Sequence, residues 1–307
     1  MVQYCSNCGE QLDDDSEFCS QCGNNLKTNT MPVKASSNRS SIRIRNFVGE
    51  NDNIIVLDEK GPFKVIEYER DLSVLPYQAA EKYFSSKMNI RPRQLVVDLS
   101  KTSGIYLQAG AMQWMSGSNK LSSGVKGIGD FGKKLIKSKV TGETTVKPEY
   151  SGDGYLVTEQ TYRHLILVDL DDFSNNLMID DGLFLAAEKS VELAVKRRTN
   201  LSSAVASSEG LFNTVLHGRG YVCLESTIPY KELILIEMDN DTVSIDGPMA
   251  IAWTSSLELT VERSAKSFIG SAVSGEGFVN VYRGTGKILM APLTGNLKLR
   301  DLPHSDK

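Results

Sequence analysis

Four of the five cysteines in this chain of 307 residues lie close to its start, as Cys5-x-x-Cys8-Gly9 and Cys19-x-x-Cys22-Gly23, with ten residues between Cys8 and Cys19. Four thiolates at this spacing suit a closed tetrahedral zinc site, and a glycine after each second cysteine lets the backbone turn back toward the sulfurs. The expected cofactor is one structural Zn2+ held by Cys5, Cys8, Cys19 and Cys22. So short a segment has almost no core of its own, and the metal supplies its folding energy. This zinc ribbon carries Glu10, Asp13, Asp14, Asp15 and Glu17 and neither Lys nor Arg. It would repel a phosphate backbone, so a protein contact suits it better than nucleic acid. The fifth thiol, Cys223, falls in an apolar run, and the whole pattern fits a reducing compartment.

No second chemical constellation is legible. The three histidines are His164, His217 and His304. None forms a His-x-His pair with a distant carboxylate, and no nucleophile elbow or P-loop stands out. The charges Arg93, Arg163 and Lys231, with Asp98, Asp169 and Glu237, flank one strand in each of three segments and are predicted to be strand-end or inter-unit ion pairs. A non-enzymatic protein follows from this absence of converging groups.

The elements that must carry these residues are mostly strands. Gly152/Gly154, Gly218/Gly220 and Gly284/Gly286 recur at steps of 66 residues, each flanked by apolar runs. Such Gly-x-Gly pairs between strand-like segments predict tight β-hairpins. Upstream of each lies another strand: Leu95–Asp98, Leu165–Asp169 and Leu233–Glu237. The expected fold is mainly β, with three repeated β-sandwich or double-stranded β-helix-like units in a pseudo-threefold arrangement and a small N-terminal zinc ribbon. The predicted domains are the ribbon at 1–26, a basic polar linker at 27–46, a three-repeat β domain at 47–300 and a tail at 301–307. The repeats fall at about 93–158, 163–224 and 231–290. Residues 76–89 read as a helix whose stripe of Tyr77, Ala80, Phe84 and Met88 is expected to pack on the sheet.

Net charge is −4 and aromatic residues make up 7% of the chain, which argues against a dedicated nucleic-acid binder. No apolar run approaches the roughly 18 residues of a membrane helix, and no secretory signal is visible at the N-terminus. The expected location is the cytoplasm. One insert is strongly basic: Lys133, Lys134, Lys137 and Lys139 alternate with Phe131, Leu135 and Ile136. A surface helix docked on the sheet and a cationic amphipathic helix against an anionic membrane surface both fit this pattern.

Three stretches, Leu107–Met115, Asp181–Ala187 and Ser274–Leu289, resemble the family named "altered inheritance of mitochondria protein 24". The likeness spans about 93–292. It implies a β-rich fold related to the modules of the trp RNA-binding attenuation protein and an association with mitochondrial inner-membrane organisation, and it carries no catalytic residues. The function expected is a scaffold or interaction protein with unidentified protein partners and a peripheral membrane contact. Homo-oligomer formation stays open. The alternatives are single-stranded RNA binding on a ring-like scaffold and an enzyme with an unrecognised site.

Overall fold

The computed structural model describes residues 42–122, 147–180, 182–197, 212–263 and 278–292, together with residues 3–4, 11–12 and 21. The chain divides into two compact units, Met1–Arg39 and Ser40–Lys307. In the first, β1 (Gln3–Tyr4) pairs antiparallel with β2 (Gln11–Leu12).

The second unit opens with the hairpin of β3 (Ile54–Lys60) and β4 (Phe63–Tyr68), followed by α1 (Ala79–Lys87). Three segments of strands follow. The first holds β5 (Arg93–Asp98), β6 (Ile105–Leu107), β7 (Met112–Met115), β8 (Lys120–Ser122), β9 (Glu149–Ser151) and β10 (Tyr155–Thr158). The second holds β11 (His164–Asp169), β12 (Asn176–Ile179), β13 (Phe184–Glu188), β14 (Glu192–Arg197), β15 (Phe212–His217) and β16 (Tyr221–Ser226). The third holds β17 (Ile234–Asp246), β18 (Ala250–Thr254), β19 (Glu258–Arg263) and β20 (Phe278–Met290).

The first two segments each divide their strands between two sheets, whereas the third lies wholly in one. The first sheet runs β3-β4-β5-β10-β7, and the second runs β11-β16-β13-β6-β9-β8. The third runs β14-β15-β12-β18-β20-β17, with β19 on β20. Strands β17 and β20 are each 13 residues long and serve both halves of their segment, with the ladder breaking between Met238 and Asp241. Segments join through two ladders, β6 with β13 and β12 with β18.

The predicted hairpins are not formed. Strands β9 and β10 lie in different sheets, as do β15 and β16, and in the third segment the glycine pair bends one continuous strand. The glycines mark corners where the chain leaves one sheet for the next in the first two segments and bends within one sheet in the third. Gly218 and Gly284 have φ of +107° and +118°, a region that side chains with a Cβ rarely enter. The second glycine of each pair crosses another corner closely. A Cβ on Gly220 would lie 2.8 Å from Ser190 Oγ, and one on Gly286 would lie 2.9 Å from Thr254 Cβ.

Alternation along the strands places the sheets face to face. Phe63, Val65, Leu95 and Val97 of the first sheet meet Ile105, Leu107, Leu167 and Cys223 of the second. Ile166, Val168 and Val222 on the reverse of the second sheet meet Leu177, Ile179 and Ile251 of the third. Met178, Trp253 and Ile288 on the reverse of the third meet Ile245 and Tyr282. The outer face of the first sheet (Ile66, Val96, Val157) is covered by Phe47 and Val48, and Phe47 meets Trp114 edge-on at 5.5 Å. A closed ring of three segments would add a ladder between β7 and β17, which is not formed among the described residues.

Helix α1 corrects a second expectation. Its half-buried positions are Gln78 just before it, Lys82, Ser85 and Ser86, a polar set at helical spacing. Lys82 Nζ donates to Tyr162 Oη at 2.7 Å and Ser86 Oγ donates to the Glu69 carbonyl at 3.0 Å. The docked side is therefore the polar one, and Tyr77, Phe84 and Met88 are 79%, 66% and 75% exposed.

The charges flanking the strands also differ from expectation. Asp98 and Asp169 accept from the amides of Ser100 (3.1 Å) and Asp171 (3.0 Å), capping the short turn that follows each strand. A carboxylate at a strand end reaches those amides more readily than a cation in another segment. Glu237 does pair with Lys287, at 2.8 Å. Arg93 is buried, and its Nη2 lies 2.6 Å from Glu67 on β4, ahead of the three segments. Arg91 holds the other Glu67 oxygen at 3.0 Å, and Arg93 also donates to Asn89 and to the carbonyls of Tyr162 and Arg163. Removing one partner of a buried pair strands the other charge, at a cost of about 3–5 kcal/mol. Arg93→Met is expected to lower unfolding stability by that amount in urea titrations, and Arg93→Met with Glu67→Leu by much less than the two single changes added.

Candidate functional site

The zinc ribbon is the site with the most specific chemistry. Its described part is one ladder, Gln3 opposite Leu12 and Tyr4 opposite Gln11. The two paired strands flank the stretch that contains Cys5-x-x-Cys8-Gly9. The donor set and the ladder both fit zinc. The ligands Cys5, Cys8, Cys19 and Cys22 themselves lie outside the described residues, as do Lys133, Lys134, Lys137 and Lys139 of the basic insert.

Within the β domain the chemistry-bearing side chains are dispersed. His164 opens β11 half-buried, whereas His217 closes β15 in another sheet and is exposed. Burial, with the Arg93 guanidinium nearby, pushes the His164 imidazole down to about 4, against a smaller opposing pull from Glu67. Cys223 is enclosed in the core between the first two sheets, and burial pushes its thiol well above the usual range. It is an apolar packing group rather than a nucleophile. Among the described residues, no three His, Cys, Asp or Glu side chains gather as a metal site.

A cavity of about 380 Å³ opens where residues 42–50 cross the first sheet, lined in part by Arg43, Glu59, Lys64, Asp98, Lys101 and Tyr155. Lys64 and Lys101 approach the two Glu59 oxygens at 3.1 and 3.3 Å, and the Lys64 hydrogen bond is the main cause of a lowered Glu59 carboxyl. The acidic and basic groups here balance one another. They do not present a free base beside a nucleophile.

The surface feature that sequence reasoning missed is the outward face of α1 and its flanks. Leu72, Leu75, Tyr77, Tyr83, Phe84, Met88 and Ile90 are each at least half exposed, from 50% to 79%. Scattered single apolar groups on a surface are ordinary, but these gather on one helical arm and its flanks. The adjacent Tyr83 and Phe84 were the available signal, because two neighbouring aromatics cannot both face the same core from a helix.

A family model described as "Mitochondrial biogenesis AIM24" matches residues 86–293. The chain belongs to this family. The match covers all three strand segments and begins near the end of α1, so β3, β4 and most of α1 precede it. A zinc-ribbon domain model matches residues 4–26. The AIM24-family chain is 28% identical over 221 residues to an uncharacterized protein of Streptococcus pyogenes serotype M6, covering 68% of this chain and 86% of that protein. A crystal structure of another Streptococcus pyogenes protein is similar at 25% identity and a TM-score of 0.48, over 67% of this chain and 90% of that one.

Elemental analysis of the purified chain is expected to give about one zinc per molecule, as a four-thiolate site requires. Changing Cys5, Cys8, Cys19 and Cys22 to Ser should remove it, and zinc retained by that variant would refute the assignment. For His164, a folded-state value depressed from 6.5 to about 4 means that the unfolded chain binds the proton more readily. Its contribution to stability is complete above about 6.5 and is lost as pH falls toward about 4. Unfolding curves across that window should therefore be steeper in pH for the native chain than for His164→Gln.

Proposed function

We propose that this AIM24-family protein is a non-catalytic scaffold that binds other proteins, with the zinc ribbon as a second contact module. The observation that carries this reading is the inverted helix: α1 docks through Lys82 and Ser86 and turns Tyr77, Phe84 and Met88 to solvent. Exposed apolar area of this kind is costly in water unless a partner covers it, since burying one such side chain contributes roughly 1.5–3 kcal/mol. The paired charges of the cavity and the dispersed histidines support the absence of catalysis in the β domain. A membrane contact, within the same reading, would run through Lys133, Lys134, Lys137 and Lys139, whose charge would meet anionic lipid.

Two variants test this. Phe84→Glu with Met88→Glu should reduce the proteins that co-purify with the full-length chain at least tenfold and leave thermal unfolding unchanged, because both side chains are exposed. Unaltered co-purification would overturn the α1 reading. Glu at Lys133, Lys134, Lys137 and Lys139 should abolish sedimentation with anionic vesicles at low salt, and a native chain that never sediments removes the membrane clause. Turnover in a substrate screen would overturn the non-catalytic class.

A further inference from the structure

Among the described residues, two strand edges of the β domain carry no ladder where their counterparts are paired. In the first junction, Ile105, Tyr106 and Leu107 of β6 oppose Glu188, Ala187 and Ala186 of β13. In the second, Leu177, Met178 and Ile179 of β12 oppose Thr254, Trp253 and Ala252 of β18. The flanking bonds also correspond. Lys189 N donates to Gly104 O and Gln108 N to Leu185 O in the first; Ser255 N donates to Asn176 O and Asp180 N to Ile251 O in the second. The third strand of the β6 and β12 kind is the C-terminal half of β17, which pairs with β20 through Val243–Tyr282 as β12 pairs with β15 through Leu177–Leu216. Its other edge has no ladder.

The first strand of the β13 and β18 kind is β7, and its outer edge is equally unpaired. It is built like its counterparts. The ladder of β7 with β10 shifts register between Met112 and Trp114, as that of β13 with β16 shifts between Phe184 and Ala186 and that of β18 with β20 between Ala250 and Ala252. Ser116 N donates to Tyr155 O, so the amide and carbonyl of Met115, the next residue along the strand, point to the free side. The central residues of both edges lack the guards that sheets place on exposed edges, with Asp241 and Asp246 flanking those of β17. Met112–Met115 and Thr242–Ile245 contain no charge and no proline, whereas the edge strands β8, β14 and β19 carry Lys120, Glu192 and Lys196, and Glu258 and Glu262.

We propose that these edges pair between two copies of this chain, with β17 of one copy adding to β7 of the next in the register of the internal junctions. Ser244 then opposes Met115, Val243 opposes Ser116 and Ile245 opposes Trp114. Gly117 N donates to Thr242 O, and Asp246 N donates to Gln113 O. The contact is heterologous, since the two edges differ, and each added copy presents a fresh β17 edge. Residues 42–50 already cover the outer face of the first sheet, so the junction is edge to edge and self-association is weak and concentration-dependent. This inference rests on the strand ladders alone and is independent of the α1 surface.

The test uses two separately purified full-length chains, Ser244→Cys and Met115→Cys, both at exposed positions. Directly opposed residues on antiparallel strands have Cβ atoms about 4.5–5.5 Å apart, close enough for a disulfide to form with a small adjustment. Mild oxidation of the mixture should give a disulfide-linked dimer that neither chain gives alone. In sedimentation, the unaltered chain should gain mass as its concentration rises. The proposal is overturned if the mixture yields no linked dimer, or if the unaltered chain keeps the mass of one copy into the millimolar range. It is also overturned if a chain carrying both changes links only within itself, since the edges then meet in one molecule as a ring of three segments would have them.

Discussion

A strand buried on both faces has no water for its backbone, so both of its edges must be paired. Strands β13 and β18 are in this position, with Phe184–Ala187 and Ala250–Thr254 buried. Each obtains one ladder within its own segment and the other from the segment before it, through β6 and β12. This requirement dictates that no segment closes on itself. The first two segments share their strands between two sheets, the third bends its long strands within one, and the crowded corners that result leave no ready room for a side chain at positions such as Gly220 and Gly286. Once the sheets lie face to face, alternation supplies both of their cores. Leu95 and Val97 point one way from β5 and Val96 the other.

Much of this was legible in the chain. The strands, their order and the matching places of the glycines follow from apolar alternation and spacing. What spacing could not convey was partnership. A Gly-x-Gly between two strand-like runs satisfies the local geometry of a hairpin and of a corner alike. The choice between them is made by long-range ladders such as β9 with β6 and β10 with β5. The same limit explains α1. Helical periodicity identified Tyr77, Phe84 and Met88 as sharing a face, yet the side that docks was decided by hydrogen bonds from Lys82 and Ser86 to residues distant in sequence. At the ribbon the reverse holds. Ligand type and spacing are local properties, so a zinc ribbon could be recognised without a fold, and a zinc-ribbon domain model matches residues 4–26.

The buried ion pair shows why the charged residues gave little functional information. Arg93 shares its place at the start of a strand with Arg163 and Lys231, which suggested a repeated role. Its partner is Glu67, contributed by the β3–β4 hairpin that only the first sheet possesses. With its Nη1 and Nη2 also donating to Asn89 and to the carbonyls of Tyr162 and Arg163, the guanidinium fastens together three parts of the chain. The depressed imidazole of His164 is a by-product of the same enclosure: it lies close to a buried cation and is kept neutral. A strongly shifted titratable group is a mark of many active sites, but here the shift has a structural cause, burial beside the Arg93 guanidinium.

The strand edges of β7 and β17 and the outward face of α1 differ in the chemistry by which they would recognise anything. The edges of β7 and β17 offer backbone groups at a fixed repeat, so affinity there depends on register and hardly on side chains. The outward face of α1 offers aromatic and aliphatic side chains, so affinity there depends on which of them a partner can bury. Their positions relative to the family are different too. The edges belong to strands inside the stretch shared with the AIM24 family, whereas most of α1 lies ahead of it. Family membership therefore accounts for the stacked sheets and for whatever their edges join. It does not account for the helix, whose recognition chemistry has to be sought in residues 72–90 of this chain itself.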